Sequence, residues 1–166
     1  MHTVLFVCSG NTCRSPMAEA ILGDLIDDHP SLAGIVVRSA GTFACDGADM
    51  ADFAEEALEE LGIKHFKHRA KLIDQELLDE ADLILTMQAQ HLEEISALSP
   101  ESEGKVHTLK GYVQGVEGFV EGEDYDIEDP YRQPFEVYLE CATELKGNIV
   151  KLVSQLEGGA AKGQQP

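Results

Sequence analysis

Apolar and polar positions change abruptly near the start of the chain. Residues 3–8 are β-branched, aromatic or aliphatic, which is typical of a buried strand. Small polar residues follow at once and lead to Pro16, which suits the first turn of a helix. Residues 17–28 then carry apolar side chains at helical spacing. The pattern therefore predicts a strand, a tight loop and a helix in direct succession.

The same alternation of strand and helix continues along the chain. We predict further strands at residues 34–38, 81–87 and 105–109. We predict further helices at residues 48–61, 74–79, 88–98 and 134–156. The run over residues 81–87 has no polar alternation, as expected of a strand in a parallel sheet that is buried on both faces. Together the elements predict an α/β fold, a doubly wound, flavodoxin-like sheet of four parallel strands with helices on both faces.

The chain length suggests how these elements are organised. At 166 residues the chain fits one domain, which we place at residues 1–157, with a disordered tail at residues 158–166. Residues 111–132 are rich in Gly, Asp and Glu, and we predict a long loop there. Doubly wound sheets bind ligands outside the carboxyl ends of their strands. The loop after the first strand lies at such an end.

Composition and charge narrow the classes of partner. The net charge of −19 disfavours nucleic acid, because binding to phosphates requires a basic face. Solubility explains the acidity, and steering toward basic protein partners is the alternative. No stretch resembles a signal peptide or a membrane span, so we expect a cytoplasmic protein without membrane partners. The four cysteines are too few and too unevenly spaced for a disulfide framework. They are Cys8, Cys13, Cys45 and Cys141.

The opening loop combines a cysteine with an arginine. Cys8 stands at the end of the predicted strand, and Arg14 stands at the start of the predicted helix. Backbone N–H groups and the positive end of the helix dipole make such a loop an anion site. The same groups stabilise a Cys8 thiolate, which is a nucleophile. The planar guanidinium of Arg14 suits two phosphoryl oxygens at once.

Two other interpretations of the cysteines are a structural role and a metal site. Cys8 taken alone fits a core residue, and Arg14 taken alone fits a surface residue. Alternatively Cys8, Cys13, His65 and His68 have tolerable spacings for a zinc site. Arg14 and the helix dipole would oppose a cation there, so we expect no metal.

Phosphoryl transfer to a thiolate also needs an acid for the leaving group. Asp129 is the candidate, because it precedes Pro130 and Tyr131 in a loop where the proline fixes the turn and the tyrosine can form a pocket wall. A calcium loop that began at Asp124 would have Asp129 where glycine is needed and Phe135 where glutamate is needed, so that alternative fails. A solvated acidic loop explains most of the other acids nearby.

Several motifs together resemble one family. They are "VCSGNTCRSPMAEA", "RSAGT" from Arg38, "HRAKL" from His68, "ADLILTM" from Ala81, and "DPY" from Asp129. Over residues 3–156 the chain resembles the low-molecular-weight protein phosphatases of the tyrosine phosphatase type. The resemblance implies that Cys8 is the nucleophile, Arg14 the phosphate clamp and Asp129 the general acid. A cysteinyl-phosphate would form and then be hydrolysed, with no metal or other cofactor.

The resemblance also implies supporting roles around the loop. Asn11 and Ser39 would brace it, His68 would join the same network, and Ser15 would donate to the thiolate. The remaining residues assigned to the phosphate loop are Ser9, Gly10, Thr12 and Cys13. Cys13 is either a partner for a reversible disulfide with Cys8 or a small packing residue.

Thr12 bears on the choice of substrate. Its motif "CxGNTCRSP", together with "HTLKGY" from His107, is similar to the protein arginine phosphatases of Gram-positive bacteria. A threonine hydroxyl can bind a polar guanidinium, whereas the aliphatic residue common in tyrosine-directed members favours a phenyl ring. Against this assignment, the arginine phosphatases usually have two glycines after their "DP-aromatic" motif, where this chain has Arg132 and Gln133. On the strength of Thr12 and the shared motifs, phosphoarginine in proteins is the expected substrate, and phosphotyrosine is the alternative.

Two other classes of function were weighed. A thioredoxin-coupled arsenate reductase needs two more cysteines after the third strand, and residues 83–114 contain none. A non-catalytic anion-binding module would not need Cys8, Arg14 and Asp129 together. We therefore expect an enzyme that acts on phosphorylated proteins. We also expect it to be a monomer.

Overall fold

A four-stranded sheet with helices on both faces forms the molecule. The structure, a computed structural model, describes residues 2–63, 66–116 and 123–163. The strands are β1 (Thr3–Cys8), β2 (Val36–Gly41), β3 (Leu83–Thr86) and β4 (Val106–Thr108). The helices are α1 (Arg14–Asp27), α2 (Asp52–Glu60), α3 (Gln75–Glu80), α4 (Ala89–Leu98), α5 (Leu109–Val113) and α6 (Phe135–Gly163). Short 3₁₀ helices lie at Pro30–Leu32, Pro100–Lys105 and Glu123–Tyr125.

The order of the strands confirms the predicted fold class. All neighbouring strands are parallel, and their order across the sheet is β2-β1-β3-β4. The chain therefore starts in the middle, adds a strand on one side and then crosses to the other side, which is the doubly wound arrangement. Cys8 pairs with Gly41, and Val7 pairs with Thr86. The carboxyl ends of three strands are thus level at one edge of the sheet.

The side chains of β1 alternate between two cores, because successive residues of a strand point to opposite faces. Phe6 and Cys8 face the larger core, to which α1, α2 and α6 contribute. Leu5 and Val7 face the smaller core, to which α3 and α4 contribute. Burial of each large apolar side chain stabilises the fold by about 1.5–3 kcal/mol. Cys8 therefore ends a strand that is packed on both faces, which fixes its position.

Several element boundaries differ from the predicted ones, most of them by one to three residues. β2 continues to Gly41 instead of ending at residue 38, because residues 39–41 pair with the end of β1 and are buried. α2 begins at Asp52, four residues later than predicted. Residues 111–132, predicted as a loop, include the end of α5 and a 3₁₀ turn, while residues 117–122 lie outside the described residues. Thr108 accepts a hydrogen bond from Gly111 N–H and caps α5, which pattern reading missed.

The last helix is longer than predicted. α6 runs to Gly163, so the expectation of disorder is wrong for residues 158–163. Gly158 and Gly159 cost about 1 kcal/mol each relative to alanine in a helix interior. A helix that already exists still extends, because each added residue forms one more hydrogen bond. In the described part of the chain, no helix has both the length and the apolarity that a membrane span requires.

Candidate active site

A pocket of about 350 Å³ opens at the carboxyl end of β1. It collects eight of the residues that the sequence assigned to the site, together with three that it did not. The lining residues are Cys8, Ser9, Gly10, Thr12, Cys13, Arg14, Phe43, Cys45, Ala48, Asp129 and Tyr131. The other predicted site residues, Asn11, Ser15, Ser39 and His68, bond to the loop or to one another. Distant parts of the chain therefore meet where the sheet topology predicts a site.

Cys8 lies at the bottom of this pocket with a hydroxyl beside its sulfur. It is 2% exposed, and its Sγ lies 2.9 Å from Ser15 Oγ. Asn11 Nδ2 donates a hydrogen bond to the same Ser15 oxygen at 2.8 Å. Ser15 Oγ therefore already accepts one bond. Its own proton can go to the sulfur, because the other acceptor within its reach, the Ala40 carbonyl oxygen, is farther away at 3.4 Å. A donor in this position stabilises a thiolate.

Asn11 makes the turn of the loop and also holds it in place. Its φ of 52° lies in the left-handed region, which asparagine tolerates better than most residues. Its amide donates to Ser15 and Ser39 and accepts from Lys71 N–H. His68 Nε2 lies 2.7 Å from the Asn11 carbonyl oxygen. Since this buried side chain uses both of its N–H donors and also accepts one bond, it fixes the shape of the loop.

Gly41 lies where the neighbouring backbone leaves no room for a side chain, whereas Gly10 does not. A Cβ on Gly10 would meet only Thr12 Oγ1, at 3.6 Å, and the φ of Gly10 is not positive. A Cβ on Gly41 would lie 2.4 Å from the Ser9 carbonyl oxygen and 2.9 Å from Asn11 N. The end of β2 therefore supports the phosphate loop by a close backbone approach that only glycine permits. The motif "SAGT" carried this signal, but its spacing alone does not show what Gly41 touches.

Glu19 is a supporting residue that sequence reasoning missed. Ser39 Oγ donates to Glu19 Oε2 at 2.5 Å, and His68 Nδ1 lies 3.9 Å from the same oxygen. Burial raises the pKa of Glu19 and lowers the pKa of His68. Glu19 follows Ser15 by four residues on α1, so helical spacing placed both on one face. The bonds from Glu19 through Ser39, Asn11 and Ser15 to Cys8 form one continuous chain.

The Arg14 guanidinium donates to two neighbouring segments of the chain, while its Nε–H has no acceptor among the described residues. It is 2% exposed, and its Nη1 donates to Gln88 Oε1 at 2.8 Å and to the Ile127 carbonyl at 2.9 Å. Its Nε is buried and has no partner among the described residues. Buried donors are rarely left unpaired, so this one requires an explanation. An oxyanion in the pocket would supply the missing acceptor. Gln88 is a second supporting residue that the sequence did not reveal.

Asp129 reaches Arg14 from a loop that is much more exposed. Its Oδ2 lies 3.4 Å from Arg14 Nη2, and its side chain is 45% exposed. Oδ1 accepts a hydrogen bond from Tyr131 N–H at 3.1 Å. Tyr131 is 57% exposed, and the Arg132 guanidinium lies 5.2 Å from the centroid of its ring. The carboxyl group thus stands at the mouth of the pocket, where a leaving group would depart.

The cysteines have different surroundings. All four are free thiols, so a bond between Cys8 and Cys13 stays a prediction. Burial raises the pKa of Cys13, whose Sγ lies 3.6 Å from Tyr138 Oη and 3.7 Å from Thr12 Oγ1. Burial also raises the pKa of Cys141, to about 12. Both hydroxyls lie farther from the Cys13 sulfur than Ser15 Oγ lies from the Cys8 sulfur, and the Cys141 thiol donates to the Glu128 carbonyl oxygen.

The zinc alternative is not supported by the part that the structure describes. Within residues 2–63, 66–116 and 123–163, no three His, Cys, Asp or Glu side chains are grouped so that they could hold a metal ion. His65, one of the four candidate ligands, lies outside these residues. His68, another candidate, uses Nε2 for the Asn11 carbonyl.

Comparison with known proteins gives consistent results. A family model described as low molecular weight phosphotyrosine protein phosphatase matches residues 3–162. A protein-arginine-phosphatase of Geobacillus stearothermophilus is 38% identical over 94% of this chain and 97% of its own length. A probable low molecular weight protein-tyrosine-phosphatase of Ralstonia nicotianae is 38% identical over 90% of this chain and 92% of its own length. The solved YwlE arginine phosphatase from Geobacillus stearothermophilus superposes with a TM-score of 0.87 at 36% identity, covering 100% of this chain and 99% of that one.

Proposed function

We propose, given that the chain belongs to the low molecular weight phosphotyrosine protein phosphatase family, that it removes phosphate from arginine side chains of proteins. Family membership makes it a cysteine-dependent protein phosphatase. The observation that carries the mechanism is the arrangement of three side chains in one pocket, the Cys8 sulfur at the bottom, the half-satisfied Arg14 guanidinium beside it and the Asp129 carboxyl at the mouth.

In the first step the Cys8 thiolate attacks phosphorus in line with the leaving group. Arg14 and the backbone N–H groups of the loop bind the phosphoryl oxygens, whose charge is spread in the transition state. Asp129 donates its proton to the guanidine nitrogen as the P–N bond breaks. The products are a free arginine side chain and a phosphate bound to sulfur.

In the second step a water molecule attacks the cysteinyl-phosphate. Asp129, now ionised, takes a proton from this water, and the S–P bond breaks to release inorganic phosphate. The Ser15 hydroxyl, 2.9 Å from the sulfur, stabilises the departing thiolate by donating to it. The network through Asn11 keeps that proton directed at sulfur in both steps.

The choice of arginine rests on Thr12 and on the relatives. Thr12 lines the pocket and brings a hydroxyl to a wall that otherwise includes the aromatic rings of Phe43 and Tyr131. A buried guanidinium has N–H groups that require acceptors, whereas a phenyl ring has none. Phosphotyrosine is the second candidate, because exposed aromatic walls suit a ring and tyrosine phosphatases are among the relatives.

The deciding experiment replaces Thr12 and measures kcat/KM on two peptides that differ only in phosphoarginine or phosphotyrosine. We expect the wild type to prefer phosphoarginine and Thr12→Ile to shift the ratio toward phosphotyrosine by at least about tenfold. Thr143→Ile, on the exposed face of α6, is the matched control. A wild type that prefers phosphotyrosine, or an unchanged ratio in Thr12→Ile, would contradict the assignment.

The proposal retains the other expectations from the sequence. The protein would act as a monomer in the cytoplasm on phosphorylated proteins. It would form a single domain, in which α6 continues past the predicted boundary at residue 157 to Gly163. Residues 164–166, the end of the predicted tail, lie outside the described residues.

A further inference from the structure

A fully buried histidine lies behind the phosphate loop and is not used by the mechanism above. His91, in the first turn of α4, is 0% exposed. Its Nε2 lies 2.9 Å from Ser9 Oγ, and its Nδ1 accepts a hydrogen bond from Gln88 N–H at 3.1 Å. Ser9 follows the nucleophile directly and lines the pocket. The histidine therefore connects the start of α4 to a residue at the substrate.

The bond from Gln88 determines which nitrogen of His91 carries the proton. Burial, together with the nearby Arg14 charge, lowers the pKa of His91 to about 3, so the ring is neutral at pH 7. Because Nδ1 accepts from Gln88 N–H, the ring proton is on Nε2. Nε2–H must then donate to Ser9 Oγ. Ser9 consequently has one lone pair occupied and keeps the other lone pair and its own proton for a ligand.

Ser9 and Thr12 give the pocket two hydroxyl-bearing residues. The hydroxyl of an unsupported serine rotates freely, which costs entropy when it must bind. Ser9 does not have this freedom, because its oxygen is held by His91. A fixed acceptor suits the N–H groups of a guanidinium, which must be satisfied when the substrate is buried. A phosphotyrosine ring would leave the same oxygen without a donor.

We propose that the Ser9 oxygen, held in place by His91, accepts a hydrogen bond from the guanidinium of the substrate and so selects phosphoarginine together with Thr12. Ser9 is then a specificity-determining residue, and His91 is a positioning residue that acts through it. The inference rests on the proposed function and deepens it.

His91 also has a structural role that the test must separate. Gln88 and His91 form a capping box at the start of α4, in which each side chain bonds to the backbone of the other. Glutamine is a standard residue at the His91 position of such a box. His91→Gln can therefore keep the bond to Gln88 N–H, while its shorter reach removes the bond to Ser9. A purely structural histidine would leave selectivity unchanged in this variant.

The experiment measures kcat/KM on matched phosphoarginine and phosphotyrosine peptides and compares the ratio between variants. Ser9→Ala should lower the arginine-to-tyrosine ratio by about tenfold, and His91→Gln should lower it in the same direction. The double variant should be no less selective than Ser9→Ala alone, because His91 acts through Ser9. Ser9→Thr, which keeps a hydroxyl, should restore most of the ratio. Ser96→Ala, on the exposed part of α4, is the matched control.

Two results would overturn the inference. One is a ratio that Ser9→Ala leaves unchanged, and the other is a pair of effects from Ser9→Ala and His91→Gln that add in the double variant. If the wild type hydrolyses phosphoarginine while either result is found, this inference fails alone. If the wild type does not hydrolyse phosphoarginine, the proposed function fails and the inference fails with it.

Discussion

The two sides of the pocket differ in how firmly they are held. The phosphate loop, residues 8–15, has its key side chains Cys8, Asn11, Arg14 and Ser15 almost fully buried and bonded to several elements. The acid segment, residues 128–133, has Asp129 half exposed, held by one backbone N–H and by Arg14. The phosphate loop therefore has its geometry before a substrate binds, whereas the Asp129 side chain has room to change its position.

This difference matches the tasks of the two sides. Stabilising the charge of a transferring phosphoryl group requires donors that need no reorganisation during the reaction. The acid has to donate a proton in one step and accept one from water in the next, so its carboxyl group benefits from some freedom. We therefore expect substitutions of the buried residues of the phosphate loop to affect both activity and stability, and substitution of Asp129 to affect activity with little change in stability.

The largest effect should come from Cys8→Ser. A serine hydroxyl is hardly ionised at neutral pH, so turnover should fall by on the order of 10⁴ or more. Phosphate binding should persist, because the donors of the loop stay in place. Steady-state kinetics and calorimetric titration with inorganic phosphate measure the two properties. Turnover near the wild-type level would remove Cys8 from the mechanism.

Asp129→Ala should lower kcat by roughly 10²–10⁴ on substrates with poor leaving groups, and by much less on an aryl phosphate with a good one. The melting temperature should change little, because the side chain is half exposed. Glu128→Ala, at the exposed neighbouring position, is the control and should keep full activity. An equal loss on both kinds of leaving group would show that Asp129 is not the acid.

Asn11→Ala tests whether the hydrogen bonds of Asn11 hold the phosphate loop in place. It removes three side-chain hydrogen bonds and places alanine at a φ of 52°, so it should destabilise the fold by roughly 2–4 kcal/mol. Asn11→Gly loses the same bonds but accepts this φ. It should recover about 1 kcal/mol of that loss in a urea titration. Wild-type stability in Asn11→Ala would show that the loop is not braced through this residue.

Acid should lower the free energy of unfolding through His91, which supports the phosphate loop at Ser9. The pKa of His91 is lowered from 6.5 to about 3 in the fold, so the unfolded chain binds an extra proton between these values. The stability that this histidine contributes is present above about pH 6.5 and is lost as the pH falls toward 3. Unfolding free energies measured across this range should fall less steeply in His91→Gln. Parallel pH profiles of the two proteins would contradict the assignment.

The smallest effect should come from Arg132→Gly in the acid segment. Arg132 has a φ of 61°, where glycine pays no steric cost, so the variant should be more stable by about 0.5–1 kcal/mol. Gln133→Gly is the control, because φ at position 133 is not positive, and it should not stabilise the fold. A loss of stability in Arg132→Gly would show that the Arg132 contact with Tyr131 outweighs the backbone cost.

The sequence determined the local features of this protein. Apolar periodicity predicted β1, the tight loop and the order along the chain of the strands and of every α-helix except α5, because these patterns depend on neighbours a few residues apart. The motifs also predicted the family, which the comparisons confirm. The sequence alone points to Cys8, Arg14 and Asp129, and the structure brings them to one pocket.

Only the tertiary structure decided which groups surround those three residues. Gln88 and the Ile127 carbonyl hold Arg14, Glu19 receives the bond from Ser39, and Gly41 allows the close approach to the loop. His91 reaches Ser9 across 82 positions of sequence. Such pairs have no periodicity along the chain, because close packing of separate elements, rather than local preference, sets the distance between their atoms. The nucleophile was therefore readable from the sequence, whereas its supports were not.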